Sequence, residues 1–200
     1  SRNELSLGDG RKAVSFNTTP VMSTYLLAFV AGDLEHIEGR TKNGTLMRVF
    51  ATPGKKEQCQ FALNTGIKAL EYFEEYFGIP YPLPKMDLVA VPDFEPGAME
   101  NWGIVTFREV RLLFNPAKAS TAIKQAGAST IAHELAHMWF GDLVTMQWWD
   151  DLWLNESFAT LMGNKAVAHL FPEWNVWEQF YADETTAALA LDGLMSSHPI

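Results

Sequence analysis

A histidine, a glutamate and a second histidine stand close together at positions 133, 134 and 137, in the pattern HExxH. The surrounding residues have a helical pattern, and residues four apart on a helix lie one turn apart on the same face. The imidazoles of His133 and His137 are therefore expected to project from one face, with Glu134 beside them. Two imidazoles suit a borderline metal such as zinc better than magnesium or calcium. The motif predicts a zinc site on this helix.

A catalytic zinc site usually has three protein ligands, which leaves a fourth position open for water. A third histidine does not follow six residues after His137, because that position is Leu143. Glu156 is the leading candidate, with 18 residues between it and His137. Asp150 and Asp151 are rival carboxylates, but they lie in the intervening turn, where capping a helix is the commoner role. We therefore predict Glu156 as the third ligand.

Together these groups predict hydrolysis of an amide bond. Bound zinc polarises a carbonyl group and lowers the pKa of water to roughly 7. Glu134 stands next to a ligand without being one, so it is placed to take the proton of the water and deliver it to the leaving amine. We predict one Zn²⁺ per chain, with Glu134 as the general base.

A second candidate group lies around Glu100, which precedes His133 by 33 positions. The group consists of Gly97, Ala98, Met99, Glu100 and Asn101. It comes directly before a predicted strand over 103–107, and a strand beside a peptidase cleft can pair with an extended peptide. A carboxylate at the end of that strand can bind the free α-ammonium group of a peptide by a charge-assisted hydrogen bond. From the residues alone, Glu100 is equally compatible with an ordinary loop position.

The elements that must position these residues change along the chain from strands to helices, which is typical of an α+β domain. The predicted strands cover 13–16, 25–31, 34–37, 45–51 and 86–91, with a strand pair or a bent strand over 104–107 and 110–114. The predicted helices cover 61–77, 121–140, 152–170 and 172–190. Gly78 and Pro80 close the first of these helices. The HExxH motif thus falls late in one helix, and Glu156 falls early in the next.

Composition excludes several classes of function. Apolar residues make up 48% of the 200 positions, which is enough for a packed core. The net charge of −9 argues against nucleic acids and anionic membrane surfaces as partners. The single cysteine, Cys59, excludes an internal disulfide and favours a reducing compartment. We predict the cytoplasm, while Asn-X-Thr patterns at 17–19 and 43–45 leave a secreted or membrane-anchored protein as the alternative.

The GAMEN segment at 97–101, combined with HExxH and Glu156, resembles the M1 family of zinc aminopeptidases, which are gluzincins. The similarity extends to Thr-Pro-Val-Met-Ser-Thr at 19–24 and Phe-Gly-Ile-Pro-Tyr-Pro at 77–82. This resemblance implies a thermolysin-like catalytic domain over 39–200. It also implies that 1–38 are the last strands of a preceding β-rich domain.

The resemblance further implies a role for each candidate residue. His133, His137 and Glu156 would bind one Zn²⁺. Glu134 would be the general base, and Glu100 would hold the free amino terminus of a peptide substrate. The rest of the GAMEN segment would line the substrate-binding site, namely Gly97, Ala98, Met99 and Asn101.

Both ends of the chain have the character of cuts inside a longer protein, and the resemblance implies that parts of the active site lie outside it. The tyrosine that stabilises the oxyanion in the family would fall beyond Ile200, and a further amine-binding residue would come from the preceding domain. We therefore expect aminopeptidase activity in the whole protein and little activity in this chain alone.

Two other functions remain open. A thermolysin-like endopeptidase shares the metal chemistry but has no need for Glu100, so peptides with a blocked amino terminus distinguish it from an aminopeptidase. A non-enzymatic peptide-binding module would keep the fold without needing the ligands and the base.

Overall fold

The computed structural model describes residues 3–197 and contains two sheets. In chain order the strands are β1 (Asn3–Gly8), β2 (Arg11–Ser15), β3 (Glu35–Arg40), β4 (Leu46–Ala51), β5 (Lys85–Val91), β6 (Ala98–Met99) and β7 (Ile104–Arg108). β1 and β2 form an antiparallel hairpin of their own, and the other strands form one sheet in the order β3-β4-β5-β7-β6. β4, β5 and β7 are parallel, while β3 and β6 are antiparallel edge strands.

The helices follow from β4 onwards and pack against the sheet and one another. They are α1 (Gln60–Phe77), α2 (Glu109–Leu112), α3 (Thr121–Ala136), α4 (Leu152–Leu170), α5 (Val176–Phe180) and α6 (Thr186–Asp192). α1 ends where Gly78 takes a φ of 64°, a left-handed conformation that glycine adopts at little cost. α3 begins at Ser120, whose Oγ accepts a hydrogen bond from the backbone N–H of Ile123 at 3.3 Å. The predicted α+β class is confirmed.

The core lies between the sheet, α1 and α3. β4 alternates between half-buried and buried positions, as a strand packed on one face does. The largest fully buried side chains come from all three layers and include Met47, Met86, Leu88, Phe107, Leu70, Phe73, Ile131 and Leu135. One face of α3 thus packs against this core, and another face contacts α4.

α3 and α4 cross closely at Gly163 of α4. A Cβ added to Gly163 would lie 3.0 Å from the backbone nitrogen of His133 and 3.1 Å from its Cα. These distances are shorter than ordinary Cβ contacts, so glycine lets the two helix backbones approach more closely than a residue with a side chain would. The crossing brings the HExxH motif on α3 beside Glu156 on α4.

Three predicted elements are wrong. The segment 25–31 was expected to be a strand, but it contains one turn of 3₁₀ helix over Thr24–Leu26 and no strand. A strand needs a pairing partner, and none of the described strands pairs with this segment. The segment 110–114 begins with the one-turn helix α2, because a short apolar run can be buried equally well in a helical turn. The helix expected over 172–190 is broken at Asn175, whose φ is 49°, and contains a π-helical turn over Tyr181–Thr185.

The predicted domains, 1–38 and 39–200, extend past the described residues at both ends. The boundary at residue 38 falls within β3, which belongs to the larger sheet. The division stays a prediction. Across residues 3–197, no helix combines the length and the apolar character needed to cross a membrane.

Candidate active site

Three ligand atoms from α3, its C-terminal end and α4 converge on one point. His133 Nε2 lies 3.0 Å from His137 Nε2. Glu156 Oε2 lies 3.4 Å from the first of these nitrogens and 3.7 Å from the second. Ligand atoms at about 2.0–2.2 Å from a tetrahedral zinc are roughly 3.3 Å apart. The three residues therefore fit a zinc ion, with two nitrogens and one oxygen as its ligand atoms.

Hydrogen bonds on the far side of each ring orient the two imidazoles. His137 Nδ1 lies 2.7 Å from Asn155 Oδ1 and 3.0 Å from the carbonyl oxygen of Phe140. Because both partners are acceptors, Nδ1 donates and Nε2 keeps its lone pair for a metal. His133 Nδ1 lies 3.3 Å from Thr160 Oγ1, one helical turn beyond Glu156.

The turn after α3 allows Asn155 to reach His137. Gly141 has a φ of 131°, and a Cβ there would lie only 2.4 Å from Asn155 Oδ1. Both the conformation and the contact require glycine. Asp150 and Asp151, the rival carboxylates, are exposed and lie outside the clusters of possible metal ligands found within residues 3–197.

Glu134 is buried beside the three candidate ligands. Its carboxylate lies in a group with Glu100 and His137 in which the ligand atoms are within 4.8 Å of one another. Burial raises the pKa of Glu134 well above its usual range, and the charges of Glu100 and Glu156 add to the rise. Glu134 Oε2 has no hydrogen-bond partner among the described residues. Such a carboxyl group holds a proton more readily than an exposed one does, as a group that accepts a proton from water requires.

Glu156 has the opposite electrostatic environment. Its side chain is half exposed, and the hydrogen bond with His133 lowers its pKa, as does its proximity to His137. Glu156 therefore carries its negative charge at neutral pH, as a metal ligand must.

The GAMEN segment lies along the edge of the larger sheet. Ala98 and Met99 form β6, which pairs with β7 on one side only. The carbonyl oxygen of Gly97 accepts from the backbone N–H of Arg108 at 3.0 Å, and the Cβ direction of Gly97 is open space. The other side of β6 is not paired with any described strand, so it is free to pair with an extended peptide.

The two polar residues of the segment are buried. Glu100 Oε1 accepts hydrogen bonds from Tyr25 Oη at 3.2 Å and from Asn155 Nδ2 at 3.4 Å. The Asn101 side chain donates to the carbonyl oxygen of Leu26 at 3.2 Å and accepts from Thr106 Oγ1 at 3.0 Å. Asn101 thus uses its amide to hold the loop, while Glu100 lies close to Glu134.

A cavity of about 630 Å³ begins at His133 and Glu134 and extends along α3 towards its N-terminus. Its floor and walls come from the GAMEN segment, α3, α4 and α5, and include Gly97, Ala98, Ala126, Thr130, Thr160, Asn164 and Phe180. Of the candidate site residues, His133 and Glu134 line this cavity, whereas Glu100 does not. A chain anchored at Glu100 has room to continue there.

Asp142 is a second buried carboxyl group near Glu100. Neither of its oxygens has a hydrogen-bond partner among residues 3–197. Burial, followed by repulsion from Glu100, raises the pKa of Asp142 to about 9. Asp142 is consequently protonated at neutral pH and adds no charge beside Glu100.

The predicted ligands, the base and Glu100 are brought together, but the residues that orient them were missed. Asn155 and Thr160 were detectable in principle, since they precede Glu156 directly or follow it by one helical turn. Tyr25 carried no signal, because it lies 75 positions before Glu100 in a segment expected to be a strand.

The chain is similar to one family model and to several curated proteins. A model of the Peptidase family M1 domain matches residues 61–200. Aminopeptidase M1-D of Oryza sativa subsp. japonica is 56% identical over 189 residues, which are 94% of this chain and 22% of that protein. The puromycin-sensitive aminopeptidase of Caenorhabditis elegans is 52% identical over 99% of this chain and 21% of its own length. The alanine/arginine aminopeptidase of Saccharomyces cerevisiae is 51% identical over 100% of this chain and 23% of its own length.

The chain thus spans about a fifth of the length of these curated relatives. The family model covers well over half of the chain itself. The chain belongs to peptidase family M1.

Proposed function

We propose that the protein carrying this chain is a zinc aminopeptidase that removes the N-terminal residue from peptides with a free amino group. The observation that carries this proposal is the position of Glu100, a buried carboxylate within 4.8 Å of Glu134 and His137. If Glu100 binds the α-ammonium group of the peptide, there is room for little more than one substrate residue between that group and the bond to be hydrolysed.

The candidate ligands in this proposal are His133, His137 and Glu156, with one Zn²⁺ per chain. When bound there, zinc supplies Lewis-acid polarisation of the scissile carbonyl and acidifies water. The orientation of the imidazoles by Asn155 and Thr160 supports this assignment, because such partners fix the nitrogen that faces the metal.

The residues of this chain then have distinct tasks. Glu100 binds the α-ammonium group, and the free side of β6 pairs with the substrate backbone. Glu134 accepts a proton from the attacking water and delivers it to the leaving nitrogen. The remainder of the peptide lies in the cavity along α3. The oxyanion-stabilising tyrosine is still expected outside this chain, and the cytoplasm remains the expected compartment.

Peptides with free and acetylated amino termini test the proposal in the complete natural protein. A charge-assisted hydrogen bond contributes roughly 1.5–3 kcal/mol, or about 10- to 100-fold in kcat/KM. Glu100→Ala should therefore impair cleavage of free-amino peptides by about 10- to 100-fold. Acetylated peptides should be poor substrates of both proteins, and Glu57→Ala, at an exposed position, should change neither rate.

Two outcomes would contradict the proposal. Efficient cleavage of acetylated peptides by the wild type would favour a thermolysin-like endopeptidase. Zinc-loaded protein that binds peptides and cleaves none would favour a peptide-binding module.

A further inference from the structure

A chain of hydrogen bonds connects the amine-binding candidate to a candidate metal ligand. Tyr25 Oη donates to Glu100 Oε1 at 3.2 Å. Asn155 Nδ2 donates to Tyr25 Oη at 3.3 Å and to the same Glu100 oxygen at 3.4 Å. The other end of the Asn155 amide, Oδ1, lies 2.7 Å from His137 Nδ1. Two residues distant in sequence, Tyr25 and Asn155, thus hold Glu100 at a set position relative to His137.

Tyr25 is held in place from both sides. Its ring lies 5.3 Å from the ring of Trp149, centroid to centroid. The next residue, Leu26, is 2% exposed, and its carbonyl oxygen accepts from Asn101 Nδ2 at 3.2 Å. The turn that carries Tyr25 is therefore attached to two consecutive residues of the GAMEN segment.

The Tyr25 hydroxyl is suited to remain a donor. Burial raises the pKa of Tyr25 far above its usual range, and the negative charge of Glu100 raises it further. A hydroxyl that stays protonated can donate to Glu100 while it accepts from Asn155, so its donor and one acceptor position are both used.

The hydrogen bonds leave the two oxygens of Glu100 in different states. Oε1 accepts from Tyr25 and Asn155, whereas Oε2 has no hydrogen bond to any residue within 3–197. A carboxylate held through one oxygen presents the other in a fixed direction. Oε2 is the oxygen left for an ammonium group.

We propose that Tyr25 is a positioning residue for amine recognition: with Asn155, it immobilises Glu100 through Oε1 and presents Oε2 to the substrate's α-ammonium group. This inference rests on the proposed aminopeptidase function. Positioning of this kind lowers the cost of ordering Glu100 when the substrate binds, because the carboxylate is already in the bound orientation. The effect acts on peptides with a free amino group and only through Glu100.

The test compares Tyr25→Phe and Glu100→Ala, singly and together, in the complete natural protein. Phenylalanine keeps the ring contact with Trp149, so the variant should fold and hold the same zinc content. kcat/KM for free-amino peptides should fall about tenfold in Tyr25→Phe, mainly through a higher KM. In the Glu100→Ala background the same substitution should cause no further loss, because residues that act through one another are not additive.

A control variant and an inhibition measurement distinguish positioning of Glu100 from a general effect of the substitution. Tyr76→Phe is the matched control. The Tyr76 hydroxyl accepts a hydrogen bond from Lys165 Nζ at 2.8 Å and takes no part in the candidate site, so the kinetics of this variant should equal those of the wild type. Competitive inhibition by leucine amide should weaken about tenfold in Tyr25→Phe, while any inhibition by acetyl-leucine amide should be unchanged. The inhibition measurement remains possible even if Tyr25→Phe retains only a small part of the wild-type turnover.

The outcomes separate the inference from the proposed function. Losses that multiply in the double variant, or equal losses for leucine amide and its acetylated form, would overturn the positioning role and indicate a general structural role for Tyr25. A wild type that cleaves acetylated and free peptides equally well would instead overturn the aminopeptidase function itself.

Discussion

Replacing Gly163 with alanine tests whether the close crossing of α3 and α4 holds the candidate metal site together. The added Cβ would lie 3.0 Å from the backbone nitrogen of His133, whereas ordinary contact begins at 3.4 Å. The neighbouring atoms belong to the α3 backbone, so they cannot rotate away as a side chain does. The helices must therefore move apart by about 0.4 Å, the difference between these two distances.

The displacement acts directly on the ligand spacing. His133 lies on α3 and Glu156 on α4, and their ligand atoms are 3.4 Å apart, close to the roughly 3.3 Å of a tetrahedral zinc site. Overpacking destabilises a folded protein by about 1–3 kcal/mol, and the higher helix propensity of alanine offsets up to about 1 kcal/mol of this. The middle of the resulting range is about 1–2 kcal/mol; because the metal-free protein can relax the ligand spacing and the zinc-bound protein cannot, this corresponds to a roughly 5- to 30-fold loss of zinc affinity.

Competition with a metal chelator measures this loss in the complete natural protein. Hydrogen exchange of the α3 amides in the metal-free protein gives a second readout and should become faster. Gly32→Ala is the control, because Gly32 has no atom within 4 Å of the Cβ position. If Gly163→Ala binds zinc as tightly as the wild type and α3 exchanges no faster, the crossing does not control the distance between His133 and Glu156.

The remaining predictions concern the ligand, the base and the buried thiol. Loss of a residue that orients a metal ligand typically lowers metal affinity roughly 10- to 100-fold, and Glu156→Ala should lower zinc affinity by more than this. Glu134→Gln should instead retain zinc and lose about 10²- to 10⁴-fold in turnover. Metal analysis and kinetics on the same samples check this contrast, and near-normal turnover of metal-loaded Glu134→Gln would remove Glu134 from the mechanism. Burial, with the charge of Glu35, raises the pKa of Cys59 to about 11, so roughly one thiol in a thousand is ionised at pH 8. Alkylation followed by mass spectrometry should be slow in the folded protein, rise with pH and become fast on unfolding; rapid labelling of the folded protein would contradict this burial.

Much of the candidate site follows from local rules that act within a few residues. The spacing of His133 and His137 places them one helical turn apart, because the repeat of the helix is a property of the backbone. The end of α1 at Gly78 and the start of α3 at Ser120 likewise depend on neighbouring residues only. These features were therefore predictable, as was the placement of Glu156 on the following helix.

The same rules failed where burial and pairing depend on distant parts of the chain. The apolar segment 25–31 has the composition of a strand, yet no described strand pairs with it, and its Tyr25 is instead hydrogen-bonded to Glu100. The run at 110–114 begins with a single helical turn instead of a strand, and only Leu112, Leu113 and Phe114 in it are buried. Periodicity cannot decide such cases, because a short apolar run satisfies either pattern.

The sequence by itself indicated which chemistry the candidate residues could perform, since helix geometry places His133, Glu134 and His137 together on one helix. Only the tertiary structure decided how these groups are oriented. Tyr25 meets Glu100 across 75 positions, and Gly163 meets His133 across two helices. Contacts of this kind arise when separate elements pack into one core, so no local pattern in the chain encodes them.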